Sequence, residues 1–229
     1  LVAGLLGFAA NGQAATLTAD FNGDGISDRA TLTAASGVIT IVRGGGRGTT
    51  TYYTSRNWMT ASVSETNGIV GQELVFTFSS GYVDIIDDRA RTSRDYVTPD
   101  IRTVGGSRVL YLTDLNGVSG REVLFVYPNG ALCLVDDRGR GVRCYAVHGV
   151  GFGGPRRYVY VGELNGVAGS EIIFSYMGGV SLVVDDRRRT IRDYAYLTSG
   201  GAPRYANVDG APGLEALFDD QGVASWIVD

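Results

Sequence analysis

The chain repeats itself, and this constrains its fold more than any other feature. Three segments align without gaps: TNGIVGQELVF from Thr66, LNGVSGREVLF from Leu115 and LNGVAGSEIIF from Leu164. Each is followed by a Gly-led strand and the triplet Asp-Asp-Arg. A diverged copy, VDGAPGLEALF, starts at Val208, and FNGDGISDRATL starts at Phe21. The residues just before them, Asp20, Glu65, Asp114, Glu163 and Asn207, are spaced by 45, 49, 49 and 44 positions. A period of this size marks an array of supersecondary units, each too small to bury its apolar face alone.

Within one copy the pattern predicts four short strands. In the third these are roughly Val109 to Leu115, Glu122 to Tyr127, Ala131 to Val135 and Val142 to Val147, with turns at Asn116-Gly117, Asn129-Gly130 and Arg138-Gly139. Runs such as Val123-Leu124-Phe125 and Ile172-Ile173-Phe174 are apolar without alternation, as strands covered on both faces require. The last strand of a copy alternates instead, and Arg94-Asp95-Tyr96 and Arg192-Asp193-Tyr194 are expected to put charge and aromatic on opposite faces. Four strands in about 45 residues is the size of a propeller blade. The expectation is an all-β chain, a β-propeller of about five four-stranded antiparallel blades. Residues 16–229 then form one domain, with repeats near 16–57, 58–106, 107–155, 156–203 and 204–229. The last copy stops where the others turn into their fourth strand. Residues 1–15 could supply that strand, the fifth blade could have three strands, or the natural chain could continue.

Asp20-Phe21-Asn22-Gly23-Asp24-Gly25-Ile26-Ser27-Asp28 places oxygen-bearing side chains at alternate positions, a glycine where the loop turns sharply, and a carboxylate at the end. Calcium takes six to eight hard oxygens in irregular geometry. The expected ligands are the side chains of Asp20, Asn22, Asp24 and Asp28 with the carbonyl of Ile26, and calcium is the expected cofactor. Here the sequence resembles the FG-GAP and VCBS repeats, the calcium-bearing propeller blades of integrin alpha-subunits and of many secreted bacterial proteins. In that family a D-x-[DN]-x-D-G-x-x-D loop joins the first two strands of a blade, the place of Asp20 to Asp28. The resemblance implies a secreted, calcium-stabilised protein-interaction module.

The other four loops lack the central acid, with Ile69, Val118, Val167 and Ala211 in its place, while Glu73, Glu122, Glu171 and Glu215 keep the last one. These loops are read as metal-free, with Asn67, Asn116 and Asn165 as turn residues and the Glu bonding to backbone amides across the loop. The triplets Asp87-Asp88-Arg89, Asp136-Asp137-Arg138 and Asp185-Asp186-Arg187 fall at the hairpin between third and fourth strands, each with a second Arg two residues on. As plain structure they are solvated turns with an Asp cap. As function they form a charged rim, Asp88, Arg89, Asp137, Arg138, Asp186 and Arg187, that docks a partner or holds sugar hydroxyls. The repeated Tyr96, Tyr145 and Tyr194 read as packing positions.

Composition narrows the chemistry. All 20 basic residues are Arg and the only His is His148, so Lys-based catalysis and a multi-His zinc site are excluded. Paired carboxylates on one turn do not converge across a cleft as a glycosidase needs. The net charge of −4 argues against nucleic acid. No apolar run is long enough for a membrane helix. Residues 1–10, LVAGLLGFAA, and the small residues to Ala15 read as the remnant of a secretory signal peptide. Cys133 and Cys144 are equidistant from the Arg138-Gly139 tip, and an exported chain would join them as a cross-strand disulfide. The expectation is a secreted, periplasmic or cell-surface binding protein without catalysis, taking an extracellular protein. A multivalent lectin is the alternative, and a propeller enzyme with a central-channel site is the third reading.

Overall fold

The computed structural model describes residues 14–55, 58–78, 81–98, 109–126, 132–145, 157–176, 180–195, 204–219 and 225–228. The expected signal segment up to residue 13, the Asn129-Gly130 turn and His148 lie outside them. The protein is all-β, of the β-propeller class, with one antiparallel sheet per repeat. The first sheet is β1 (Ala14–Ala19), β2 (Asp28–Thr33), β3 (Val38–Val42) and β4 (Thr49–Tyr53), and the second is β5 (Thr60–Ser64), β6 (Glu73–Thr77), β7 (Tyr82–Asp87) and β8 (Thr92–Val97). The third is β9 (Val109–Thr113), β10 (Glu122–Val126), β11 (Leu132–Asp136) and β12 (Gly141–Tyr145), and the fourth is β13 (Arg157–Gly162), β14 (Glu171–Tyr176), β15 (Val180–Asp185) and β16 (Thr190–Ala195). The fifth contains β17 (Arg204–Ala206), β18 (Glu215–Asp219) and β19 (Ser225–Val228). Each strand pairs with the next in sequence, so every blade is a meander.

The chain divides into two compact units, Leu1–Leu112 with Ser119–Val147, and Thr113–Val118 with His148–Asp229. In the first unit the second sheet explains why its strands do not alternate. On one face Leu74, Phe76 and Ile86 pack with Leu32, Ile39, Ile41 and Tyr52 of the first sheet. On the other, Val75, Val83 and Ile85 pack with Val123, Phe125 and Val135 of the third. All five residues of β6 are buried as a result. Fully burying such side chains is worth about 1.5–3 kcal/mol each.

Strand β8 does alternate, but in a way the sequence reading missed. Arg94 and Tyr96 share the inward face while Ser93, Asp95 and Val97 are exposed, because residues two apart lie on the same side of a strand. Cys133 and Cys144 are directly opposed in the β11–β12 register and are joined as a disulfide with Cα atoms 4.1 Å apart. Strand β1 starts at Ala14, so Ala14 and Ala15 pair with Thr33 and Leu32 as part of the first blade. No helix among the described residues is long and apolar enough to cross a membrane.

Candidate functional site

Antiparallel pairing brings two connections of each four-stranded blade to the same end, the β1–β2-type loop and the β3–β4-type hairpin. The loops are held by one repeated set of bonds. The first polar residue accepts the amide of the glycine three positions on, as Asp20 does from Gly23 at 2.7 Å, Asp114 from Gly117 at 2.7 Å and Asn207 from Gly210 at 2.7 Å. The Asn two positions on accepts the next amide but one: Asn22 from Asp24, Asn67 from Ile69, Asn116 from Val118 and Asn165 from Val167. These are Asx turns. The final acid accepts an amide seven residues back, Glu73 from Thr66, Glu171 from Leu164 and Glu215 from Val208, each at 2.7 Å. The framework role read from the sequence is therefore what these three Glu perform. Loops also join their neighbours: the amides of Gln72, Arg121, Ser170 and Leu214 donate to the carbonyls of Asp20, Glu65, Asp114 and Glu163.

Burial costs Glu73 and Glu171 their usual acidity. Glu73 is pushed up to about 7 by desolvation, with the charges of Asp87 and Glu65 adding to the shift. The Asn67 amide bridges Glu73 at 2.8 Å and Asp87 at 3.2 Å. Asn165 repeats this bridge between Glu171 and Asp185, and burial likewise raises Glu171. Asp84, in the middle of β7, is raised by burial and accepts a hydrogen bond from Ser93 at 2.6 Å.

In the first loop the chemistry of Asp20, Asn22, Asp24 and the Ile26 carbonyl suits calcium. Asp20 Oδ2, Asn22 Oδ1 and Asp24 Oδ1 each accept a single amide, from Gly25, Asp24 and Ile26, and a carboxylate or amide oxygen has a second lone pair. Two features differ from the sequence expectation. Asp28 is 1% exposed, with Oδ2 accepting from Phe21 and Oδ1 from Gly44; it occupies the framework position of Glu73 rather than facing the same point as Asp24. Asp24 Oδ2 is paired with Arg47 at 2.5 Å, a tethered cation from the 3-10 turn at Gly44–Gly46. Among the described residues no three His, Cys, Asp or Glu side chains gather around one point. The residues that would hold a calcium ion are thus Asp20, Asn22, Asp24 and Ile26, and the ion would supply rigidity to the loop.

The Asp-Asp-Arg hairpins divide their labour. The first Asp caps its turn: Asp87 accepts from Ala90 at 2.8 Å, Asp136 from Gly139 at 2.6 Å and Asp185 from Arg188 at 2.8 Å. The second Asp lies inside, not on a rim: Asp88, Asp137 and Asp186 are 1–3% exposed. Asp88 takes both Nε and NH2 of Arg43, at 2.8 and 3.0 Å, and the Tyr52 hydroxyl at 2.7 Å. Asp137 takes Arg94 at 2.8 Å, Thr66 at 3.3 Å and a short bond from the Tyr96 hydroxyl. Every donor comes from the preceding blade, and burial together with these acceptors drives both tyrosines far above their ordinary values. The Arg is exposed, and its NH1 reaches back to a loop carbonyl: Arg89 to Val70, Arg138 to Ser119 and Arg187 to Ala168, at 2.7–3.0 Å.

The clamp had a visible signal. Arg-x-Tyr recurs as Arg94-Asp95-Tyr96, Arg143-Cys144-Tyr145 and Arg192-Asp193-Tyr194 in step with Asp-Asp-Arg. Two cationic and phenolic donors on one face, repeated with a pair of acids, call for an acid in the neighbouring blade.

Beside the second clamp is a recess of about 320 Å³. It is lined by Asn67, Gly68 and Ile69 of one loop, by Asp137, Arg138 and Arg140 of the next blade's hairpin, and by Arg94.

No family model matches the chain, and no curated protein does. Among solved structures it is similar to BBS1N in complex with ARL6DN. For the lead-soaked crystal the TM-score is 0.44 at 13% identity, covering 84% of this chain and 53% of the other. For the mercury-soaked crystal it is 0.43 at 11%, covering 88% and 60%. The chain spans just over half the length of those chains.

Proposed function

We propose that the chain is a non-catalytic binding module that presents the loop end of its blades to a protein partner outside the cell. One observation carries this reading: at that end the two charges of each hairpin are segregated. The acids are buried on structural partners, whereas Arg89, Arg138 and Arg140 are exposed beside Ile69 and Val70, themselves 50% and 71% exposed. Arginine is enriched at protein interfaces, and here it adjoins exposed apolar side chains. The resemblance to FG-GAP and VCBS repeats and the disulfide support an exported module of this kind. The carbohydrate reading is weakened, because Tyr52 and Tyr96 are buried and bonded to Asp88 and Asp137 and have no face left for a sugar ring.

A photo-crosslinking residue at Val70 tests the proposal against one at Tyr53, which is equally exposed at 73% but lies where β4 ends, at the opposite end of its blade. Protein adducts from Val70 and none from Tyr53, in the chain's native extracellular fluid, support it. Adducts from Tyr53 alone, or a glycan-array signal without protein adducts, overturn it. Calcium belongs to the same proposal as a stabiliser of the first loop. Calcium should raise the melting temperature, and Arg47→Ala should tighten its binding in calorimetry by removing the competing cation; Asp24→Ala should abolish it.

A further inference from the structure

The sequence gives no reason to expect a cationic surface, since the net charge is −4. The fold creates one locally by sinking acids and raising arginines. At the recess between Asn67-Gly68-Ile69 and Asp137-Arg138-Arg140, Asp137 is neutralised by Arg94. Arg138 commits NH1 to the Ser119 carbonyl, leaving further donors of its planar fork. The Arg140 guanidinium has no hydrogen-bond or ion-pair partner among the described residues. Arg94 also faces Asp87 at 3.6 Å, and Arg138 and Arg140, which form no salt bridge among the described residues, add two positive charges at the cavity's border.

The backbone supplies an independent observation. Arg140 has φ +52, and its counterparts Arg91 and Arg189 have +55 and +56; among the described residues these three are the non-glycine residues in the left-handed region. A glycine there would be relaxed, and an arginine costs about 1–2 kcal/mol in backbone strain. The chain is rich in glycine, with 34, and still places Arg at this position in all three hairpins. Strain kept at a repeated position points to work done by its side chain.

We infer that this recess docks a carboxylate of an acidic peptide segment, with Arg140 and Arg138 as its fork and Ile69 receiving an aliphatic neighbour. The inference rests on the binding-module reading and names its ligand chemistry. The volume is at the low end for small-molecule sites and takes one acidic side chain with its flanks. The exposed Ile69 and Val70 favour a peptide over a nucleic acid or an acidic glycan, whose anionic groups come without aliphatic side chains.

The test is fluorescence anisotropy on the full chain with a dye-labelled peptide of alternating Glu and Leu, and with labelled single-stranded DNA and polygalacturonate as competing classes. The peptide should bind in a salt-sensitive way. Arg140→Gly should weaken it by about tenfold or more, while leaving the chain at least as stable in urea, since glycine relaxes the φ. That combination separates a ligand role from a structural one. Unchanged peptide binding in Arg140→Gly overturns the inference, as does no peptide binding, or tighter binding of DNA or polygalacturonate. If peptide binding is unchanged in Arg140→Gly while Val70 still crosslinks a protein, the module reading stands and only the recess assignment falls.

Discussion

Asp137 and Arg138 are neighbours in sequence with opposite fates. The carboxylate is sealed between two blades with three donors on it, and the guanidinium stands in solvent. Removing one partner of a buried ion pair leaves the other uncompensated, whereas exposed pairs contribute little. Asp137→Ala should therefore cost about 3–5 kcal/mol and Arg138→Ala less than about 1 kcal/mol, read from urea unfolding midpoints. This burial was hidden in the sequence because Asp-Asp-Arg at a hairpin reads as a solvated turn, and the residues that bury it, Thr66, Arg94 and Tyr96, lie 71 to 41 positions away.

The elements themselves were largely legible. The third repeat was expected to hold four strands, and β9 to β12 start within one residue of the expected positions, because apolar runs and turn residues are local signals. Glycine in the loops carries a second, non-local meaning that sequence does not show. Gly68 has φ +76, and a Cβ there would lie 2.5 Å from the Ser119 carbonyl of the next loop; Gly25 has φ +81 and faces open space. Gly25→Ala should cost about 1 kcal/mol from strain alone, and Gly68→Ala about 3 kcal/mol because the neighbouring backbone must also move. Equal costs in thermal unfolding would show that the loop contact is slack. The pairing of Cys133 with Cys144 was also readable, from equal distances to the hairpin tip. Closing an 11-residue separation, it should contribute about 2–3 kcal/mol, lost in the Cys133→Ser, Cys144→Ser double variant.

For the whole molecule, the buried loop acids make stability depend on pH in an unusual direction. Glu73 titrates near 7 when folded and near 4.5 when unfolded, so between those values the native chain keeps a proton that the unfolded chain has lost. Stability should fall as pH rises from about 4.5 to about 7 and then level off, with Glu171 acting in the same sense. Glu73→Gln should flatten that slope in urea titrations run across the range; an unchanged slope would place the proton elsewhere. The bonds between successive loops have a consequence of another kind. Each of the three inner loops offers its first carbonyl to the following loop and its own later amide to the preceding one, as Glu65 and Gln72 do within a single repeat. A segment copied by gene duplication would thus arrive with both halves of its joint, so repeats of this sort can multiply without inventing a new interface.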